Sequence, residues 1–101
     1  MLRHIVMYKF LPEAQGRSRE ENLKIASELA QAMEREIKVL KYFQCGIGSR
    51  EAKETNYDVV LVCDMEDFDA LSEYKAAQAH KRFGAHCHAV SSDRAAIDYF
   101  V

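Results

Sequence analysis

The sequence predicts an α+β fold, a four-stranded antiparallel sheet with two helices laid on one face in the order β-α-β-β-α-β. Three observations lead there. Runs rich in β-branched and aromatic residues stand at both ends of the chain and twice in its middle, as strands require. Two longer stretches place apolar residues at helical spacing. The two middle strands follow each other across a polar loop, whereas a helix separates every other consecutive pair.

Arg3 to Leu11 reads as the first strand, ending at Pro12, where a ladder donor is lost. One face carries His4, Val6, Tyr8 and Phe10, the other Ile5, Met7, Lys9 and Leu11, so both are largely apolar. Ser18-Arg-Glu-Glu21 has the capping-box pattern of a helix start. The helix runs to about Lys38, with Leu23, Ala26, Leu29, Ala30, Met33 and Ile37 on one stripe and Glu20, Lys24, Glu28, Gln31 and Arg35 elsewhere. Val39 to Ser49 has strand composition, and its two glycines, Gly46 and Gly48, suggest a bulge or bend. Arg50 to Asn56 is a polar hairpin loop. Tyr57 to Met65 follows as the third strand, with Tyr57, Val59, Leu61, Cys63 and Met65 on one face and Val60 and Val62 on the other. Glu66-Asp-Phe-Asp69 opens the second helix with acidic residues at the favoured end of the macrodipole. That helix is expected to stop at Gly84, leaving His86-Cys87-His88 in a loop before a fourth strand, Ser92 to Val101. The order is that of the ferredoxin-like fold.

At 101 residues the chain is expected to be one domain, 1–101, with a single core. Hydrophobic residues make up 49% and charged residues 30%, and the net charge of −2 lacks the basic surface that nucleic acid demands. No window approaches a membrane span, and the start Met1-Leu-Arg-His-Ile-Val lacks the layout of a signal peptide. Cys45, Cys63 and Cys87 are odd in number and widely spaced, which suits reduced thiols and a cytoplasmic protein.

Two helices cover one face of a four-stranded sheet, yet the first and third strands are apolar on both. The open face calls for a second copy, sheet against sheet, giving a homodimeric α/β barrel. Under the helices, His4, Val6 and Tyr8 are expected to point toward Tyr74 and His80, with Leu61 and Phe83 completing an apolar pocket for a small ligand. Imidazoles change protonation near neutral pH and suit acid–base work, and a phenol holds a ligand oxygen. The bland alternative stays open at this point: both histidines bond backbone carbonyls and Tyr74 packs. His86-Cys87-His88 with His80 and Cys63 are residues zinc accepts, but alternating positions of one segment rarely converge on an ion, and no metal is expected.

Arg3-His-Ile-Val-Met-Tyr-Lys-Phe10, Tyr57, Phe68-Asp-Ala-Leu-Ser-Glu-Tyr74, His80 and Phe83-Gly84 stand in the order and spacing of a known family. From His4 to Asp98-Tyr99 the chain resembles the stress-responsive α/β-barrel (Dabb) domains. The resemblance implies a small dimeric α+β barrel and, by likeness to a plant polyketide cyclase of that family, cofactor-free acid–base chemistry. It further implies His80 as general base, with His4 and Tyr74 holding substrate oxygens. The sequence departs from the family at Ala77-Gln78, where His-Pro is usual. Two other readings remain: a non-catalytic structural or stress-associated dimer, and an α+β-barrel monooxygenase or haem-handling protein.

Overall fold

Strand β1, Leu2–Phe10, runs through the middle of the sheet and fixes what lies on each side of it. The computed structural model describes residues 1–101. After β1 come a small hairpin, β2 (Glu13–Ala14) and β3 (Arg17–Ser18), and helix α1 (Arg19–Glu36). Then follow β4 (Tyr42–Ile47), β5 (Val59–Met65), α2 (Phe68–Ala76), α3 (Gln78–Val90) and β6 (Ser91–Phe100). The main sheet is antiparallel in the order β4-β5-β1-β6. This is the α+β, ferredoxin-like arrangement read from the sequence, with the second helix divided in two.

Alternation along β1 sorts the molecule. Leu2, His4, Val6, Tyr8 and Phe10 are buried under the helices, where they join Val59, Leu61, Cys63 and Met65 of β5, Ala26, Ala30 and Met33 of α1, and Leu71, Tyr74 and Phe83. The odd-numbered residues face the other way. There Ile5 stands opposite Val62 and Ile97, and Met7 opposite Val60 and Ala95. No helix covers this side, and Ile97 and Tyr99 are 57% and 40% exposed. Ion pairs bound it, with Arg3 making two bonds to Asp64, at 2.7 and 2.8 Å, and Lys9 reaching Asp58 at 3.2 Å.

Helix α1 starts as expected. Ser18 Oγ accepts the Glu21 N–H at 3.2 Å, and the Glu21 carboxylate accepts the Ser18 N–H at 3.0 Å. Its fully buried Asn22 fastens the hairpin, donating to the Ala14 carbonyl at 3.1 Å and accepting from Arg17 Nε at 2.8 Å. The sequence did not announce that hairpin. Its two turn residues, Gln15 and Gly16, both have positive φ (56° and 73°), as a two-residue hairpin turn of the primed type needs, but glutamine at the first position is not its usual signal.

Three expectations are corrected. First, β4 pairs one for one with β5 from Tyr42 to Ile47, so no glycine bulge forms there. Gly46 instead permits close packing, since a Cβ would stand 3.0 Å from Val60 Cγ1. The register shift falls between Lys9 and Phe10 against β6. Second, β5 begins at Val59 rather than Tyr57; Asp58, just before it, accepts the Phe10 N–H on its carboxylate at 2.8 Å. Third, the helix breaks at Ala77, which is extended (φ −66°, ψ 141°), and not at Gly84, which lies inside α3. His86-Cys87-His88 are therefore helical rather than in a loop. No helix is long and apolar enough to cross a membrane, and all three cysteines are free.

The break suggests a stability test. Gln78 is the first residue of α3, where the N–H has no intrahelical partner, and Ala77 already has the extended backbone that a following proline imposes. Gln78→Pro is expected to raise unfolding stability by about 0.4–1 kcal/mol, read as a higher urea midpoint at unchanged slope.

Candidate functional site

The extended residue at the α2–α3 junction makes a site out of residues that one helix would keep apart. Tyr74 and His80 are six positions apart, which on a continuous helix leaves their directions about 120° from each other. The turn at Ala77, closed by its N–H to the Tyr74 carbonyl at 3.3 Å, folds His80 back over the phenol. Their ring centroids are 4.7 Å apart. From the sheet side, the His4 ring meets the same phenol edge-on at 5.9 Å. Tyr74, with no exposed surface, is thus held between two imidazoles.

These three residues line a cavity of about 310 Å³ between sheet and helices. Val6, Tyr8, Leu61 and Phe83 form its apolar walls, so every pocket residue expected from the sequence reaches it. Tyr8 and Phe83 meet edge to face at 6.1 Å. Gly84 also lines it, its missing Cβ lying 4.0 Å from His80 Cε1, so the glycine keeps volume open beside the imidazole.

The polar groups differ in how they are partnered. His4 Nδ1 lies 2.5 Å from Asp98 Oδ1. A carboxylate accepts only, so this bond puts the proton on Nδ1 and, in the neutral ring, leaves Nε2 as an acceptor. The Tyr74 hydroxyl accepts the Cys63 thiol at 3.5 Å and keeps its own proton to donate. Burial pushes the Tyr74 phenol well above the ordinary tyrosine range, with neighbouring Cys63 adding to the shift, so it stays protonated. His80 is otherwise. Its Nδ1 is buried without a hydrogen-bond partner, and desolvation lowers its pKa below the usual 6.5 against the opposing pull of the Lys75 carbonyl, with the charges of His4, Lys75 and Arg94 helping to lower it.

Sequence reasoning missed four residues here. Asp98 escaped notice because its role needs the β1–β6 register, which places it opposite His4. Lys75, His88 and Arg94, all exposed, form the rim of the cavity. The sequence pattern places His88 in a loop, and the other two carry no motif. No group of three His, Cys, Asp or Glu side chains is placed to hold a metal ion. Of the His86-Cys87-His88 run, His86 Nε2 bonds the Asn22 carbonyl at 2.9 Å, and Cys87 is buried with its thiol pushed up to about 12 by burial.

The family profile of the stress-responsive A/B barrel domain, Dabb, matches residues 2–101. The chain belongs to the Dabb family. Among curated proteins none matches it. Its fold is close to that of a dimeric ferredoxin-like protein of unknown function from Thermobifida fusca, with a TM-score of 0.83 and 20% identity over 99% of this Dabb chain and 90% of the other. An Arabidopsis thaliana protein aligns at TM-score 0.72 and 24% identity, covering 100% of this chain and 95% of its own. An antibiotic biosynthesis monooxygenase aligns at TM-score 0.74 and 15% identity, covering 100% and 98%. At these identities the likeness establishes the fold that the Dabb domain shares with them.

The His80 environment sets the sign of a pH effect. The unfolded chain takes up this proton at a higher pH than the folded one, so stability is lost as pH falls through about 6.5 and is present above it. In an NMR titration the His80 Cε1–H signal is expected to reach its midpoint below 6.5, and His80→Gln to flatten the loss of stability between neutral pH and about pH 5. A midpoint at or above 6.5 contradicts the assignment.

Proposed function

We propose that this Dabb domain binds a small apolar or aromatic ligand in the cavity between sheet and helices and moves a proton on it without a cofactor. The observation that carries the reading is the buried Tyr74 phenol held between His4 and His80 at the head of an otherwise apolar cavity. His80 is the base. Burial disfavours its charged form, and its Nδ1 makes no hydrogen bond within the chain, which suits it to take a proton from an acidic C–H or O–H of the ligand. Tyr74 donates to the ligand oxygen on which charge collects, and the Nε2 of His4, oriented through Asp98, accepts from a ligand hydroxyl.

The same reading includes a homodimer. The sheet face formed by Ile5, Met7, Val60, Val62 and Ile97 has no cover within one chain, and similar structures are described as dimeric. Apposing two such faces supplies the cover. The non-catalytic dimer remains the rival, since this face serves it equally. The monooxygenase alternative is supported by fold alone, and haem handling by no specific residue.

Two experiments decide these points. A thermal-shift screen of small aromatic and aliphatic carbonyl compounds is expected to yield ligands whose affinity falls at least about tenfold in His80→Ala, Tyr74→Phe and Gly84→Leu, the last by filling the cavity. Affinities unchanged in all three would remove the pocket from the argument. Ile5→Glu, which places a charge at the centre of the open face, is expected to halve the mass seen by light scattering while the far-ultraviolet spectrum stays native. If the unaltered protein already scatters as a single chain, the sheet-on-sheet dimer is wrong.

A further inference from the structure

The rim of the cavity has a charge that the rest of the chain does not. The protein carries 16 acidic against 14 basic side chains, a net charge of −2, yet no Asp or Glu lines this cavity. Lys75 at the end of α2 and Arg94 on the edge strand β6 stand on its rim with His88 of α3. Five basic side chains are held by carboxylates, Arg3 by Asp64, Lys9 by Asp58, Arg50 by Glu20, and Arg35 and Arg82 by Glu36. Neither Lys75 nor Arg94 is in an ion pair. The acid on the same face of β6, Asp98, is held by His4 Nδ1. Two cations from separate elements therefore converge on one opening with no internal counter-charge, while the walls behind them are Val6, Leu61 and Phe83.

We infer that the ligand of this cavity is an organic monoacid whose carboxylate sits at the rim between Arg94 and Lys75 while its hydrocarbon body lies against the apolar walls. The inference rests on the cavity being a ligand site, as proposed above, and adds the class of ligand. A guanidinium presents paired donors that match a carboxylate, and a lysine adds a point charge. Such an arrangement also orients the molecule: with its charged end fixed at the rim, the opposite end is directed toward Tyr74 and His80, where the proton is moved. An uncharged molecule of the same shape gains the walls but not the rim.

Phenylacetate and hexanoate, compared with their uncharged amides phenylacetamide and hexanamide, test this by calorimetry or by perturbation of backbone NMR signals. The acids are expected to bind roughly tenfold or more tightly than the amides, a difference of about 1.4 kcal/mol, and to lose that advantage as salt is raised, because the rim is exposed. Arg94→Gln, and more fully Arg94→Gln with Lys75→Gln, should bring acid and amide affinities together without weakening the amides. Both positions are exposed, and circular dichroism checks that the variants fold. Amides binding as well as acids, or an acid preference that survives both substitutions, overturns the monoacid inference and leaves the cavity a ligand site. Failure of all four compounds to perturb residues lining the cavity overturns both.

Discussion

The structure of the site depends on one extended residue. Alanine is the best of helix formers, and at Ala77 it interrupts a helix, with no side chain capping the start of the next one. What holds the break is burial on either side of it: Leu71 and Tyr74 before, Ala79 and Phe83 after, all packed into the same core. A straight helix would have to expose some of these four. Burying an aromatic side chain is worth about 1.5–3 kcal/mol, against about 1 kcal/mol for a missing cap, so packing decides the local conformation. The consequence is chemical, because the break is also what brings the His80 ring against Tyr74.

Around that pair the sheet supplies the fixed half of the site. His4 is locked by β1, which is bonded on both sides, and by Asp98 from β6. The helical half is less constrained: His80 has a ring nitrogen with no partner and sits beside a glycine. A phenol that is fully buried, an imidazole bonded to a carboxylate and an imidazole with an unpartnered ring nitrogen stand in three different surroundings. Their environments separate them.

The two faces of the sheet divide the work. The side under the helices closes over a core and leaves one cavity within it, while the far side leaves a flat apolar surface bounded by the Arg3–Asp64 and Lys9–Asp58 pairs. In a single chain that surface is out of place in water. Membership of a family whose similar structures are described as dimeric fits this division.

The amino-acid sequence by itself determined the fold class, the strand alternation, the start of α1 and the identity of His4, Tyr74 and His80 as the residues to watch. Each of these is written in local pattern: period-two faces, a capping box, a short run of family spacing. Tertiary structure alone decided where the second helix breaks, that His86-Cys87-His88 belong to a helix, and that Asp98, Lys75 and Arg94 join the site. The reason is physical. Ala77 has no intrinsic preference for the conformation it adopts, and a strand's partner is set by register across 94 positions of chain, as between His4 and Asp98, which no local pattern encodes.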